Sequence, residues 1–224
     1  MAAMATPDQA MHRPVVEIRR SSHRMAWAVW IIASVVGAAI GGAVAWEIRS
    51  VFLQASAAEQ GLVGSAATLL SALILAGSQW LVLRRYRVDV FWWVPATMAA
   101  NFVAAGIVVP GVINLALGRG VSPLNLNSAV IFGTVVLATQ GLVVGTAQAL
   151  VLRPSAGNIA WLWTAATILG GVLAGALTTA LSPTLLQAAL DHGLPTFVLI
   201  GVANAVGALI TSVCQTPILT RVLR

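Results

Sequence analysis

Long apolar runs separated by short polar or arginine-bearing turns make up this chain. Six of these runs, at 25–46, 61–83, 91–109, 128–152, 159–181 and 195–219, come close to or exceed the ~20 residues that a helix needs to cross a bilayer. They predict an all-α, polytopic membrane protein of six transmembrane helices. Arg19, Arg20 and Arg24 precede the first run, and Ala43 with Ala45 gives it the look of a secretory signal. Its apolar length exceeds the ~7–15 residues of a signal core, so it predicts a retained helix. Pro110 and Gly111 predict an end or a sharp kink in the third helix, because proline removes a backbone donor and crowds the preceding turn. After the fifth run, "LSPTLLQAALDHGLP" predicts a short interfacial helix capped by Ser182, begun by Pro183 and stopped by Gly193 and Pro195. The opening "MAAMATPDQAM" predicts disorder, and residues 1–24 as a whole a basic arm ahead of a transmembrane domain at 25–224.

The same polar residues recur at the ends of the even-numbered runs. "QWLVLRR" begins at Gln79 and "QALVLRP" at Gln148, an ungapped shift of 69 residues that also pairs Trp92 with Trp161 and Ala96 with Ala165. A decayed third copy supplies Gln215, Leu219 and Arg221. The pattern predicts about three parallel helical-hairpin repeats, near 25–84, 91–153 and 159–221, which would suit an arrangement about the membrane normal. A small residue, Gln, LVLR and a Trp eight positions on, as in 76–98 and 145–167, resembles a pattern in uncharacterised bacterial multi-pass membrane proteins. That resemblance supports the repeat and implies no activity.

Composition adds an orientation. Hydrophobic residues are 59% of the 224 and charged residues 8%, against the roughly 25% charged of soluble domains. The net charge of +6 comes from arginine, and ten arginines (Arg13, Arg19, Arg20, Arg24, Arg84, Arg85, Arg87, Arg153, Arg221, Arg224) fall on one face of the six-helix layout. Only Arg49 and Arg119 fall on the other. This bias reads as topology and not as a nucleic-acid signal, and it predicts an inner (plasma) membrane protein with both termini cytoplasmic. Trp27, Trp30, Trp80, Trp92, Trp93, Trp161 and Trp163 all sit near the cytoplasmic ends, where they are expected at headgroup depth. Arg20, Arg84, Arg85 and Arg153, with Trp92 and Trp161, are the expected contacts to anionic headgroups or to a partner.

The spans carry little that could do chemistry. Asp, Glu, Lys, Arg and His avoid the span centres, and Glu47 reads as a solvated interfacial charge. His12, His23 and His192 lie outside the spans, and Cys214 is the sole cysteine, so no metal, haem or disulfide framework is expected and no cofactor is predicted. Asp191 with His192 lacks a nucleophile, and the nucleotide-binding, zincin and hydrolase motifs are missing, so an enzyme is not expected. What remains is amides and small residues. Gln79, Gln148 and Gln215 are expected to hydrogen-bond neighbouring helices or to line a ligand site, with Asn101, Asn204 and Asn114 as further buried or half-buried amides, the first two joining a polar seam. Gly37 with Gly41, Gly141 with Gly145, and Gly171 with Gly175 are expected to pack helices closely, within the chain or against a partner. The leading functional expectation is a non-enzymatic accessory or scaffolding subunit of a larger membrane complex, joined to a membrane-protein partner or to copies of itself. The alternative is a small channel or carrier for a neutral solute.

Overall fold

The computed structural model describes the backbone of residues 13–86, 90–119 and 126–223, and side chains from Met25 onward. The Arg20 side chain, Arg87, "MAAMATPDQAM" and most of the "VSPLNLN" stretch therefore fall outside what is described. Within the described residues seven α-helices follow one another: α1 Arg13–Val51, α2 Ala57–Arg85, α3 Trp93–Val103, α4 Val109–Gly118, α5 Leu126–Ala156, α6 Ala160–Asp191 and α7 Thr196–Val222. Among the described residues there is no strand. Five helical segments are long and apolar enough to cross a membrane, which makes this a helical, membrane-embedded protein.

Five apolar segments replace the six separate spans expected. The fourth and fifth expected runs lie inside one stretch of 66 residues, Leu126–Asp191, because the connector between them is a 3-10 turn at Gly157–Ile159 and not a loop. Gly157 makes that reversal with φ of +57°, a conformation that a side chain would oppose. Two helix ends also differ from expectation. Pro110 does not stop the third helix, since a π turn at Ala104–Val108 carries it on into α4. There the Val109 N–H reaches five residues back to the Ala104 carbonyl, a wider turn that absorbs the missing proline donor. Ser182 caps no separate helix either. Its Oγ–H donates to the Thr179 carbonyl at 2.8 Å, and α6 runs through Pro183 to Asp191 before Gly193 reverses the chain at φ +61°.

The helices close a ring: α1 packs on α2, α2 on α3, α3 on α5, α5 on α6, α6 on α7, and α7 back on α1. Small residues let the backbones approach. A methyl added at Gly41 would lie 2.9 Å from Ser71 Oγ of α2, and one at Gly37 would meet Ser78 Oγ. Between α5 and α6 the fit is against backbone. A methyl added at Gly141 would lie 2.7 Å from the Thr167 carbonyl oxygen and one at Gly175 2.5 Å from that of Gly133; one at Gly171 would meet the Leu137 carbonyl, and one at Gly145 would lie 2.9 Å from Thr167 Cβ and 3.1 Å from Thr164 Cα. All three expected glycine pairs are thus covered by helices of this chain, the intramolecular outcome of the expectation. Polar pins hold the ring at the end of the bundle away from Arg84, Arg85 and Arg153. Arg49 Nη2 donates to Thr68 Oγ1 at 2.6 Å and to the Gly64 carbonyl at 3.2 Å, and a Ser56–Glu59 capping box starts α2.

Candidate functional site

The residues that matter sit four apart on the inner faces of the helices, where a spacing of four keeps side chains on one face. Helix α1 presents Trp30, Ser34 and Ala38; α3 presents Trp93, Thr97 and Asn101; α6 presents Trp163, Thr167 and Gly171. Opposite them, α2 presents Gln79 and Leu83, α5 presents Gln148 and Leu152, and α7 presents Gln215 and Leu219. The three indoles meet in the middle of the ring. Trp30, Trp93 and Trp163 are each 0% exposed and touch pairwise edge to face, at centroid separations of 6.0, 5.4 and 5.8 Å. Leu83, Leu152 and Leu219 pack in the same cluster. These three rings therefore face one another inside the bundle and not the surrounding lipid, where an indole buried against two others contributes packing that an outward-facing ring would forgo. Trp92 and Trp161, one and two residues away in sequence, are 64% and 43% exposed.

Above the indoles lies a layer of amides and hydroxyls. Gln79 Nε2 donates to Ser34 Oγ at 3.1 Å, Gln148 Nε2 to Thr97 Oγ1 at 3.2 Å, and Gln215 Nε2 to Thr167 Oγ1 at 2.9 Å. The same residue types make the same bond at three places around the ring, always between the two helices of one hairpin. Thr167 Oγ1 also donates to the Trp163 carbonyl at 2.7 Å, which fixes the hydroxyl that Gln215 uses. Between hairpins, Trp163 Nε1 donates to Gln148 Oε1 at 2.9 Å.

That layer forms the floor of a cavity of about 360 Å³, at the lower end of the ~300–1,000 Å³ typical of small-molecule sites. Gln79, Gln148 and Gln215 all line it, as do Asn101 and Asn204, so the five expected seam residues come together. Every polar side chain in the wall is a neutral hydroxyl or amide, and the rest is apolar and mostly small, including Ala38, Val144, Ala174 and Gly207, with Leu75 and Leu137 the larger members. Asn101 is half-buried, donates to the Thr97 carbonyl at 2.8 Å and accepts from Gln140 Nε2 at 3.1 Å. Gln140 is a wall residue that sequence reasoning missed. Asn204 is exposed where burial was expected, because it stands farther from the indoles and donates to its own helix at Ile200. Asn114 is exposed on α4 and takes no part.

At the arginine end, Arg84, Arg85 and Arg153 are exposed, with the Arg84 guanidinium 5.1 Å from the centre of the Trp80 ring. Phe91 and Trp92 flank a groove on the outer surface between α3 and α5, which shares no lining residue with the cavity. The Trp-x-x-x-Ser/Thr steps were legible in principle: pairing Trp93 with Trp163 needs a shift of 70 residues, one more than pairs Gln79 with Gln148. No protein-family model, curated protein or solved structure matches the chain.

Proposed function

We propose that this chain crosses a bacterial inner membrane six times, both termini cytoplasmic, as three parallel hairpin repeats in a ring, and that it is a non-enzymatic carrier for a small neutral solute. The observation that carries this reading is the convergence of Gln79, Gln148 and Gln215 on one cavity with a neutral polar wall. Six crossings take the 66-residue stretch Leu126–Asp191 as two, which the close fit of α5 on α6 on either side of Gly157 supports, and the repeat is supported by the thrice-made glutamine–hydroxyl bond. A cavity closed at the arginine end by three packed indoles suits a carrier more than an open channel, and a wall without carboxylates suits an uncharged cargo.

The test is thermal unfolding of the purified full chain in mild detergent against neutral and charged small solutes. At a concentration of 100 times Kd a bound solute stabilises by about 2.7 kcal/mol. Wild type is expected to gain stability from a neutral solute, and Gln79→Leu with Gln148→Leu to lose that gain. If nothing neutral stabilises the wild type and nothing co-purifies from native membranes, the carrier reading fails.

An accessory or scaffolding subunit is the second reading, carried by the exposed arginines and tryptophans at one end, while the covered glycine pairs no longer favour it. On either reading Arg84, Arg85 and Arg153 contact anionic headgroups or an acidic partner, at about 1 kcal/mol per arginine near a charged surface. Replacing all three with Gln should weaken retention of anionic lipid or of a co-purifying partner by well over tenfold. Unchanged retention of both would remove this assignment.

A further inference from the structure

Four polar atoms beneath the cavity, two indole N–H groups and two amide oxygens, are buried and without a partner. Each glutamine commits its Nε2 to a hydroxyl, which turns its Oε1 away from that hydroxyl. Gln148 Oε1 is met by Trp163 Nε1, the indole of the next hairpin. Moving that relation around the ring pairs Trp93 with Gln79 across α3 and α2, and Trp30 with Gln215 across α1 and α7, both of them packed helix pairs. Trp93 Nε1, Gln79 Oε1, Trp30 Nε1 and Gln215 Oε1 are the atoms left open, on side chains at most 6% exposed. Thr164 Oγ1 is the other open buried atom in the described chain.

Each open pair offers one N–H and asks for one hydrogen. Leaving a buried polar group unmet costs about 1–3 kcal/mol, so four together rival the ~5–15 kcal/mol stability of a whole domain. A carboxylate would satisfy the indole and starve the amide oxygen; an ammonium would do the reverse; either would bury a charge with no counter-charge in the wall. A hydroxyl oxygen accepts from the indole and donates to the amide from a single atom. We propose that the cavity floor binds two hydroxyl groups, one between Trp93 and Gln79 and one between Trp30 and Gln215, leaving Gln148 closed by Trp163. Small apolar walls at Ala38, Val144, Ala174 and Gly207 suit the carbon skeleton of a neutral diol or polyol. Two ordered waters carry the same chemistry. The polyol form rests on the carrier reading; the water form does not.

The experiment compares 1,2-octanediol with its dimethyl ether, which keeps the skeleton and loses both donors, on the full chain in nanodiscs. Thermal shift and a high-resolution cryo-EM map are read together. The diol is expected to bind at least about tenfold more tightly than the ether, roughly the worth of one to two hydrogen bonds. Gln79→Leu with Gln215→Leu should abolish that preference and Gln148→Leu should keep it. Should neither compound bind while oxygen-sized density bridges both pairs, water is the hydroxyl source: the floor site stands and the carrier reading loses its solute. Equal binding of diol and ether, or direct Trp93–Gln79 and Trp30–Gln215 bonds with nothing between, would overturn the proposal. The wild-type comparison decides this even where a leucine variant fails to fold.

Discussion

Trp163→Ala is expected to destabilise the chain by about 3–5 kcal/mol, the range for removing a large buried aromatic. Two losses combine. The indole is 0% exposed and packs edge to face on Trp30 and Trp93 at 5.4 and 5.8 Å, so truncation opens a void among side chains that lipid cannot fill. Its N–H is also the partner of Gln148 Oε1, and removing it leaves that acceptor buried and unmet. Trp163→Phe separates the two effects, keeping a ring and losing the donor, and should cost about 1–3 kcal/mol. Trp161→Ala, two residues earlier and 43% exposed, should change stability by less than about 1 kcal/mol. Denaturant titration in mild detergent checks all three. A Trp161 loss as large as that of Trp163 would put the wrong face of α6 inward.

Gly175→Val should be at least as damaging, for a different reason. Its first added carbon would stand 2.5 Å from the Gly133 carbonyl oxygen, 2.7 Å from Thr134 Cα and 2.8 Å from the Gly133 carbonyl carbon. All are backbone, so no side chain can swing aside and α5 and α6 must separate. Overpacking ordinarily costs about 1–3 kcal/mol; with two helix backbones in contact the cost should exceed about 3 kcal/mol. Separation would also displace Gly171 and Ala174, which line the cavity, so solute-dependent stabilisation should fall with stability. Gly77→Val, with nothing within 4 Å of the added carbon, is the control and should be nearly neutral. Equal losses from the two variants would show that the α5–α6 approach does not set the stability of the ring.

The membrane helices could be read directly from the apolar runs, and the amide layer from one repeated motif. A buried glutamine beside arginine-ended helices has few ways to satisfy its amide, which is why Gln79, Gln148 and Gln215 were found and why they converge. The inward and outward tryptophans were not told apart because a helix turns about 100° per residue: Trp92 and Trp93 look alike in sequence but face opposite environments. The ungapped shift of 69 residues fixed on Trp92 and Trp161, the exposed pair, since the turn from Leu152 to Trp163 is one residue longer than that from Leu83 to Trp93. Of the end or kink expected at Pro110, the end did not occur, because a π turn can lodge a proline where an α turn cannot, and that choice depends on packing that sequence alone does not display. The separate fourth and fifth spans merged for a local reason, one glycine at positive φ replacing a loop. Asn204 lines the cavity with the glutamines, but its exposure depends on where the ring opens, a property of all the helices together.

A carrier needs a cavity that a neutral solute can reach from water. In a Cys214→Ser background, single cysteines at Ala208, which lines the cavity, and at its neighbour Leu209, 44% exposed on the outer face, test this most directly. A thiol reacts as the thiolate, so a small water-soluble maleimide reports contact with water and not with lipid. The account predicts that Ala208→Cys is labelled in membrane vesicles, that Leu209→Cys is not, and that a bound neutral solute slows the first reaction. An Ala208→Cys that stays unreactive while Leu209→Cys is labelled would contradict it.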